Sequence, residues 1–149
     1  APSGGVTLTT SGTTGQVSYT VETAQTSATV IFGIYSTTAN GSLPNALLCK
    51  ATLSAATTGV QVASFDSEVT LDEGAIYWCA YLRPNGESGT VNLAQIPDGD
   101  IPILYTYNGS NKNQVYHNVS SLTDLPATFT VGANHRQSTW PTFSVVISS

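Results

Sequence analysis

The chain has 149 residues, a net charge of −5 and only 9% charged residues, against about 25% in an ordinary soluble protein. Its four cations, Lys50, Arg83, Lys112 and Arg136, cannot form a basic patch. This argues against nucleic-acid binding through phosphates and against docking on anionic membranes. No apolar run reaches the ~20 residues of a transmembrane helix.

The length points to one domain, large enough to bury roughly 70% of its unfolded surface without a metal or disulfide staple. Helix formers such as Glu, Lys and Arg are scarce, Met is absent and β-branched residues abound, so an all-β fold is expected. The polar surface falls to Ser, Thr, Asn, Gln and Gly, a profile closer to extracellular and virion β-proteins than to metabolic enzymes. The chain begins at Ala1 without Met, which points to removal of an initiator Met or a leader.

Residues 1–15, APSGGVTLTTSGTTG, are low in complexity and cannot build a core. They read as a flexible N-terminal arm, with Thr7-Leu8-Thr9 a short strand that pairs elsewhere, ahead of a sandwich domain over 16–149. Residues 16–22 alternate, placing Val17, Tyr19 and Val21 on one face of a half-buried strand. Residues 29–35, TVIFGIY, set Val30, Phe32 and Ile34 against Ile31, Gly33 and Tyr35. Gly33 inside this strand predicts close approach by another backbone or side chain. After a long turn holding Asn40-Gly41 and Leu43-Pro44 comes a strand over 46–53. Two short extended pieces follow, over 60–64 and 68–71.

The richest stretch is 72–82, DEGAIYWCAYL. Asp72-Glu73-Gly74 is turn chemistry, and Arg83-Pro84-Asn85-Gly86 stops the strand that follows. Tyr77, Cys79 and Tyr81 share one face; Ile76, Trp78, Ala80 and Leu82 share the other. Apolar groups on both sides predict a mid-sheet strand. One face would meet a second layer, the other a loop, an N-terminal arm or another subunit.

The second half is less regular. Residues 90–94 form a weak strand, 101–107 an apolar run split by Pro102, and 115–125 an irregular mixture. Residues 127–131 are a short strand, and 140–148 close the chain with Phe143, Val145 and Ile147 on one face. Eight to ten short strands without a predicted helix give an all-β, two-sheet antiparallel β-sandwich of jelly-roll type.

The order Gly33-Ile34-Tyr35, Asn40-Gly41, Leu43-Pro44, Leu47-Leu48, Thr58-Gly59, then Gly74 through Trp78, resembles a β-sandwich domain of bacteriophage virion proteins. That domain occurs in tail-fibre and in head-fibre or head-decoration proteins. Leu125-Pro126-Ala127-Thr128-Phe129 and the closing strand resemble its C-terminal end, so the likeness runs from about Ala28 onward. Cys49 and Cys79 stand where that family usually has aliphatic residues, which implies apolar slots for both. The resembling positions are scaffold, so no functional residue carries over.

Several residue types with chemical potential are present. Cys49 and Cys79 sit in apolar strands and read either as a cross-strand disulfide or as two buried free thiols. Two cysteines are too few for a disulfide framework, which tips the reading toward thiols. His117 and His135 lack the spacing of metal ligands. Asp98-Gly99-Asp100 is explained by a turn, without the further acids of a calcium loop. Asp72-Glu73 shows no sign of facing Asp66 or Glu68 as a glycosidase pair. Gly86-Glu87-Ser88-Gly89 is a loop and not a nucleophile elbow. Asn40, Asn108 and Asn118 lie in N-x-S sequons, which matter only in a eukaryotic secretory setting. Tyr105, Tyr107, Tyr116 and Trp140 suit packing at a core or interface, or stacking on a sugar.

The expectation is therefore a non-enzymatic structural protein of a phage virion, exposed on the particle after assembly in the host cytoplasm. A capsid decoration or head-fibre subunit bound to the shell through its arm fits best; a tail-fibre receptor-binding or carbohydrate-binding module is the alternative. No catalytic, cofactor or metal site is expected. The expected partners are further copies in a homotrimer and the major capsid protein or another virion protein, with a host surface glycan under the alternative.

Overall fold

The computed structural model describes residues 6–7, 11–39, 43–87, 91–93, 95–97, 106–107, 110–111, 114–116, 122–129, 134–136, 139–141 and 143–148. These form strands without a helix: β1 (Val6–Thr7), β2 (Gly12–Thr23), β3 (Thr29–Thr37), β4 (Pro44–Ser54), β5 (Gly59–Leu71), β6 (Ile76–Leu82), β7 (Asn92–Leu93), β8 (Gln95–Pro97), β9 (Thr106–Tyr107), β10 (Ser110–Asn111), β11 (Gln114–Tyr116), β12 (Asn134–Arg136), β13 (Thr139–Pro141) and β14 (Phe143–Ser148).

Two antiparallel sheets pack face to face. The first has the order β1-β6-β3-β4, and the second the order β14-β2-β5. β7 pairs with the end of β2 at Val21 and Thr23; because Gly59 of β5 already holds the other side of Val21, β7 lies on the β14 side. Short ladders join β8 to β13, β9 to β10 and β11 to β12. This is the two-sheet sandwich expected from the sequence. These pairings do not by themselves establish a jelly-roll winding.

Alternation builds the core as period-2 strands require. Val17, Tyr19 and Val21 of β2 face Val30, Phe32 and Ile34 of β3, Cys49, Ala51 and Leu53 of β4, and Phe65 and Leu71 of β5. Phe143 and Val145 of β14 pack against the same cluster. The ring centroid of Phe32 lies 4.7 Å from that of Phe143 and 6.1 Å from that of Phe65. Tyr19 keeps its polar tip satisfied by donating its hydroxyl to Ser54 O at 2.8 Å.

β5 is one strand, not two pieces, but its pairing with β2 breaks where the sequence had split it. Thr14 partners Val69 and Gln16 partners Ser64, so residues 65–68 form an excursion in β5. There the buried Thr14 hydroxyl reaches Gln16 O, and Asp66 accepts the Lys50 backbone N–H at 3.0 Å. That contact ties the excursion of the second sheet to β4, the edge strand of the first.

The structure qualifies three sequence expectations. The strand flanked on both sides over most of its length is β3, between β4 and β6. β6, expected mid-sheet, does lie between β1 and β3 in the sheet order, though among the described residues β1 flanks it only at Ile76 and Tyr77. Apolar character on both faces reports coverage above and below, not position within the sheet. Second, pairing in the second sheet begins at Gly12, inside the stretch assigned to the arm, while the pairing of Val6–Thr7 with β6 accords with the short strand expected at Thr7-Leu8-Thr9. Third, the weak strand expected over 90–94 is the two-residue β7.

Candidate interaction surface

Gly33 of β3 is closely hemmed in by its neighbours. Ile31, Gly33 and Tyr35 point away from the sandwich core, as the alternation predicted. With Trp78 of β6 and Leu125 they form a second apolar cluster, joined by Leu47, Ala80, Leu82 and Phe129. What covers this face is the segment 122–129, a strap running over the outside of the first sheet. A Cβ on Gly33 would stand 2.5 Å from Leu125 Cδ1, 3.0 Å from Leu47 Cδ1 and 3.2 Å from Cys49 O. The close approach inferred from a glycine inside a strand is thus the Leu125 side chain.

The strap is held along its length. Leu47 N–H donates to Ala127 O at 2.8 Å and Phe129 N–H to Asn45 O at 2.7 Å, flanking the isolated bridge between Ala46 and Thr128. Asn85 N–H donates to Leu122 O at 2.8 Å. The Tyr35 hydroxyl donates to Pro126 O at 2.6 Å, and its ring meets Phe129 edge-on at 5.4 Å, a favoured aromatic geometry. Burial, with a smaller contribution from the Asp124 charge, pushes the Tyr35 hydroxyl up to about 12. Lys50 forms an ion pair with Asp124, and this bond holds the Asp124 carboxyl below its ordinary range. Trp78 Nε1–H donates to Thr37 Oγ1 at 3.2 Å.

A second polar knot fixes the exit of β6 to the entry of β3. Thr29 donates its hydroxyl to Glu87 Oε1 at 2.6 Å and its N–H to Glu87 Oε2 at 3.0 Å. Arg83 pairs with Glu87 and also donates to Thr29 O at 3.0 Å. The Thr29 bonds, then Arg83, lower the Glu87 carboxyl. Pro84 is buried and Gly86 turns the chain at φ 90°, so the stop signal read after Leu82 becomes a structural clamp.

Among the described residues, those singled out for chemistry are not brought together. Asp66 serves β4, and Glu68 packs its Cγ 3.5 Å from where a Gly15 Cβ would lie. Asp72 and Glu73 sit in a turn closed by Ala75 N–H on Asp72 O, with Gly74 at φ 80°. In the same turn Asp72 N–H donates to Tyr77 Oη and Glu73 N–H to Ser11 Oγ. Among the described residues no group of three or more His, Cys, Asp or Glu side chains could hold a metal ion. His135, Tyr107, Tyr116 and Trp140 lie on β12, β9, β11 and β13. His117, Tyr105, Asp98 through Asp100, Ser88, Gly89 and the sequon asparagines Asn40, Asn108 and Asn118 lie outside the described residues.

Both cysteines are free thiols. Ile34 is the register partner of Cys49 on one side and Cys79 on the other, which places them two strands apart, about 9–10 Å. A disulfide tolerates no more than ~7 Å between Cα atoms. Cys49 is buried, and desolvation reinforced by the Asp66 charge pushes its thiol up to about 12. Cys79 is exposed at its surface, contrary to the expectation of two buried thiols, although desolvation by the surrounding protein still raises its thiol to about 11.

Sequence reasoning did not find the strap, the Lys50–Asp124 pair or the Thr29–Arg83–Glu87 knot. Each includes a contact between residues more than 50 positions apart. The one signal was Gly33, which marked the landing site but not the residue that lands there. No family model, curated protein or solved structure matches this chain.

Proposed function

We propose that this chain is a non-catalytic structural module of a bacteriophage virion, a capsid-decoration or head-fibre subunit held to the shell by its N-terminal segment. Jelly-roll winding and association with further copies belong to the same reading. The observation that carries it is where the phage-like fragments fall. Gly33, Tyr35, Leu47, Trp78, Leu125 and Phe129 come from separate motifs of the resemblance and meet in one cluster under the strap. A fixed order of weak motifs is what a shared scaffold leaves in a sequence. The ionised side chains that form bonds support the same reading, since Lys50, Asp66, Arg83, Glu87 and Asp124 are spent on joining strands.

The test is a copy count in purified particles by quantitative mass spectrometry, with shell co-sedimentation of the full chain and of a chain lacking residues 1–10. Hundreds of copies, and loss of co-sedimentation on truncation, are expected. A handful of copies together with host-glycan binding supports a tail-fibre module instead. Absence from the particle overturns both.

A further inference from the structure

The two sheets treat their edges differently. On the β4 edge, the Lys50 N–H is capped by Asp66 and the strand carries a lysine and an initial proline. These are the devices that stop a strand edge from templating another chain. β6 has the start of its flank taken by β1. β5 ends the second sheet, and among the described residues none of these protections acts on 59–65. Its sequence there, GVQVASF, has no charge and no proline. Val60 and Val62, on the outer face, are 71% and 57% exposed. The only described hydrogen bond from this window, apart from the ladder to β2, is Gln61 Nε2–H to Thr58 O.

We propose that this edge is a self-association surface, where β5 pairs antiparallel with β5 of a second copy about a two-fold axis at Val62. The segment is self-complementary in that register. Val62 meets Val62, Val60 meets Ser64 and Gln61 meets Ala63, so apolar outer-face residues stay on one face and inner-face residues on the other. The acids do not oppose one another: Asp66 falls opposite Thr58 of the second copy and Glu68 opposite Ala56. The two copies of Asp66 are eight residues apart along the strand, roughly 27 Å, so repulsion between them is screened at ordinary salt. The product is a continuous six-stranded sheet, β14-β2-β5 joined to its two-fold mate. An isologous contact of this kind closes on itself at two chains. It rests on the β5 edge alone and is independent of where the protein is displayed; the homotrimer expected from the sequence would need a different surface.

Light scattering coupled to size exclusion gives the mass of the full chain at 10–100 μM, roughly the range of a modest strand-paired contact. The mass of two chains is expected, falling to one in Val60→Lys/Val62→Lys. Both side chains are exposed, so the monomeric variant should still unfold cooperatively, with a thermal midpoint that no longer depends on protein concentration as the parent's should. In a Cys79→Ser background, Val62→Cys should link copies on mild oxidation, because the axis sets residue 62 against itself, while Ser67→Cys should not. This crosslink decides the question even where the lysine variant folds poorly. A one-chain mass for the parent overturns the proposal. So does a dimer or trimer whose mass the lysines leave unchanged, or an assembly in which Val62→Cys links no better than Ser67→Cys.

Discussion

Gly33→Ala probes the fit between strap and sheet with one methyl group. The added carbon would overlap Leu125 Cδ1 at 2.5 Å and touch Leu47 Cδ1 and Cys49 O. Overpacking of this kind costs about 1–3 kcal/mol. It is partly offset by about 0.4–1 kcal/mol, because alanine narrows the unfolded ensemble relative to glycine. A net loss of about 1–2 kcal/mol follows. Leu125→Ala empties the same place. Leu125 is 7% exposed and lies beneath a single segment that can settle, so the lower end of the range for such truncations applies, about 2–3 kcal/mol.

The double variant separates this account from generic damage. In Leu125→Ala the methyl group added at position 33 has room, so Gly33→Ala should become neutral or stabilising there. The coupling energy is then about 1 kcal/mol or more, well above the ~0.3–0.5 kcal/mol seen for independent sites. Urea unfolding of the four proteins measures it, and each kcal/mol should also move the thermal midpoint by about 2–4 °C. Additive losses, or a Gly33→Ala protein as stable as its parent, would refute the packing of Leu125 on Gly33.

Alkaline titration followed by tyrosinate absorbance should show Tyr35 ionising near 12, after the exposed tyrosines. Its folded value lies above the ordinary 10, so the fold favours the neutral form. The stability this gives is full below 10 and is lost as pH rises toward 12; Tyr35→Phe should flatten that loss. Glu87 is shifted the other way, below its ordinary 4.5. Its contribution is present above that value and lost as pH falls through the lowered one, so Glu87→Gln should lose stability at pH 7 and little more at acid pH, read by thermal midpoints. Ellman's reagent should titrate Cys79 first in the folded protein, slowly at neutral pH because desolvation raises its thiol to about 11, with Cys49 reacting only on unfolding; two fast thiols would contradict the burial of Cys49. Trp78→Phe removes the bond to Thr37 and should cost at least about 0.5–1.5 kcal/mol in urea unfolding; Thr37→Val also removes the hydroxyl's bond to Leu43 O and should lose at least as much, the two losses not adding.

Local chemistry was legible where it acts locally. The bounds of β6 follow from Gly74 before it and Arg83-Pro84 after it, and alternation placed Val17, Phe32, Trp78 and Phe143 on the correct faces. The gap between the two extended pieces, over 65–67, falls where the β5 register breaks. What stayed hidden depends on partners distant in the chain. Strand order is not written in any one strand: β3 and β6 are apolar on both faces, and only pairing shows that β3 has full neighbours. Cys79 looks as apolar as Cys49, yet it is exposed while Cys49 is buried. The strap is a Leu-Pro-Ala-Thr-Phe run in an otherwise irregular stretch, and only the glycine beneath it betrays its target.

The strap also sets an order of events in folding. Tyr35 and Pro126 are bonded across 91 positions of sequence, and Leu125 rests on a floor assembled from β3, β4 and β6. That floor does not exist until three strands have paired, and closing so long a loop early would cost entropy with no contacts to repay it. Docking of 122–129 is therefore a late step, which seals the outer side of a sheet already formed. During synthesis the ribosome must release those residues before the aromatic surface around Trp78 is shielded from water.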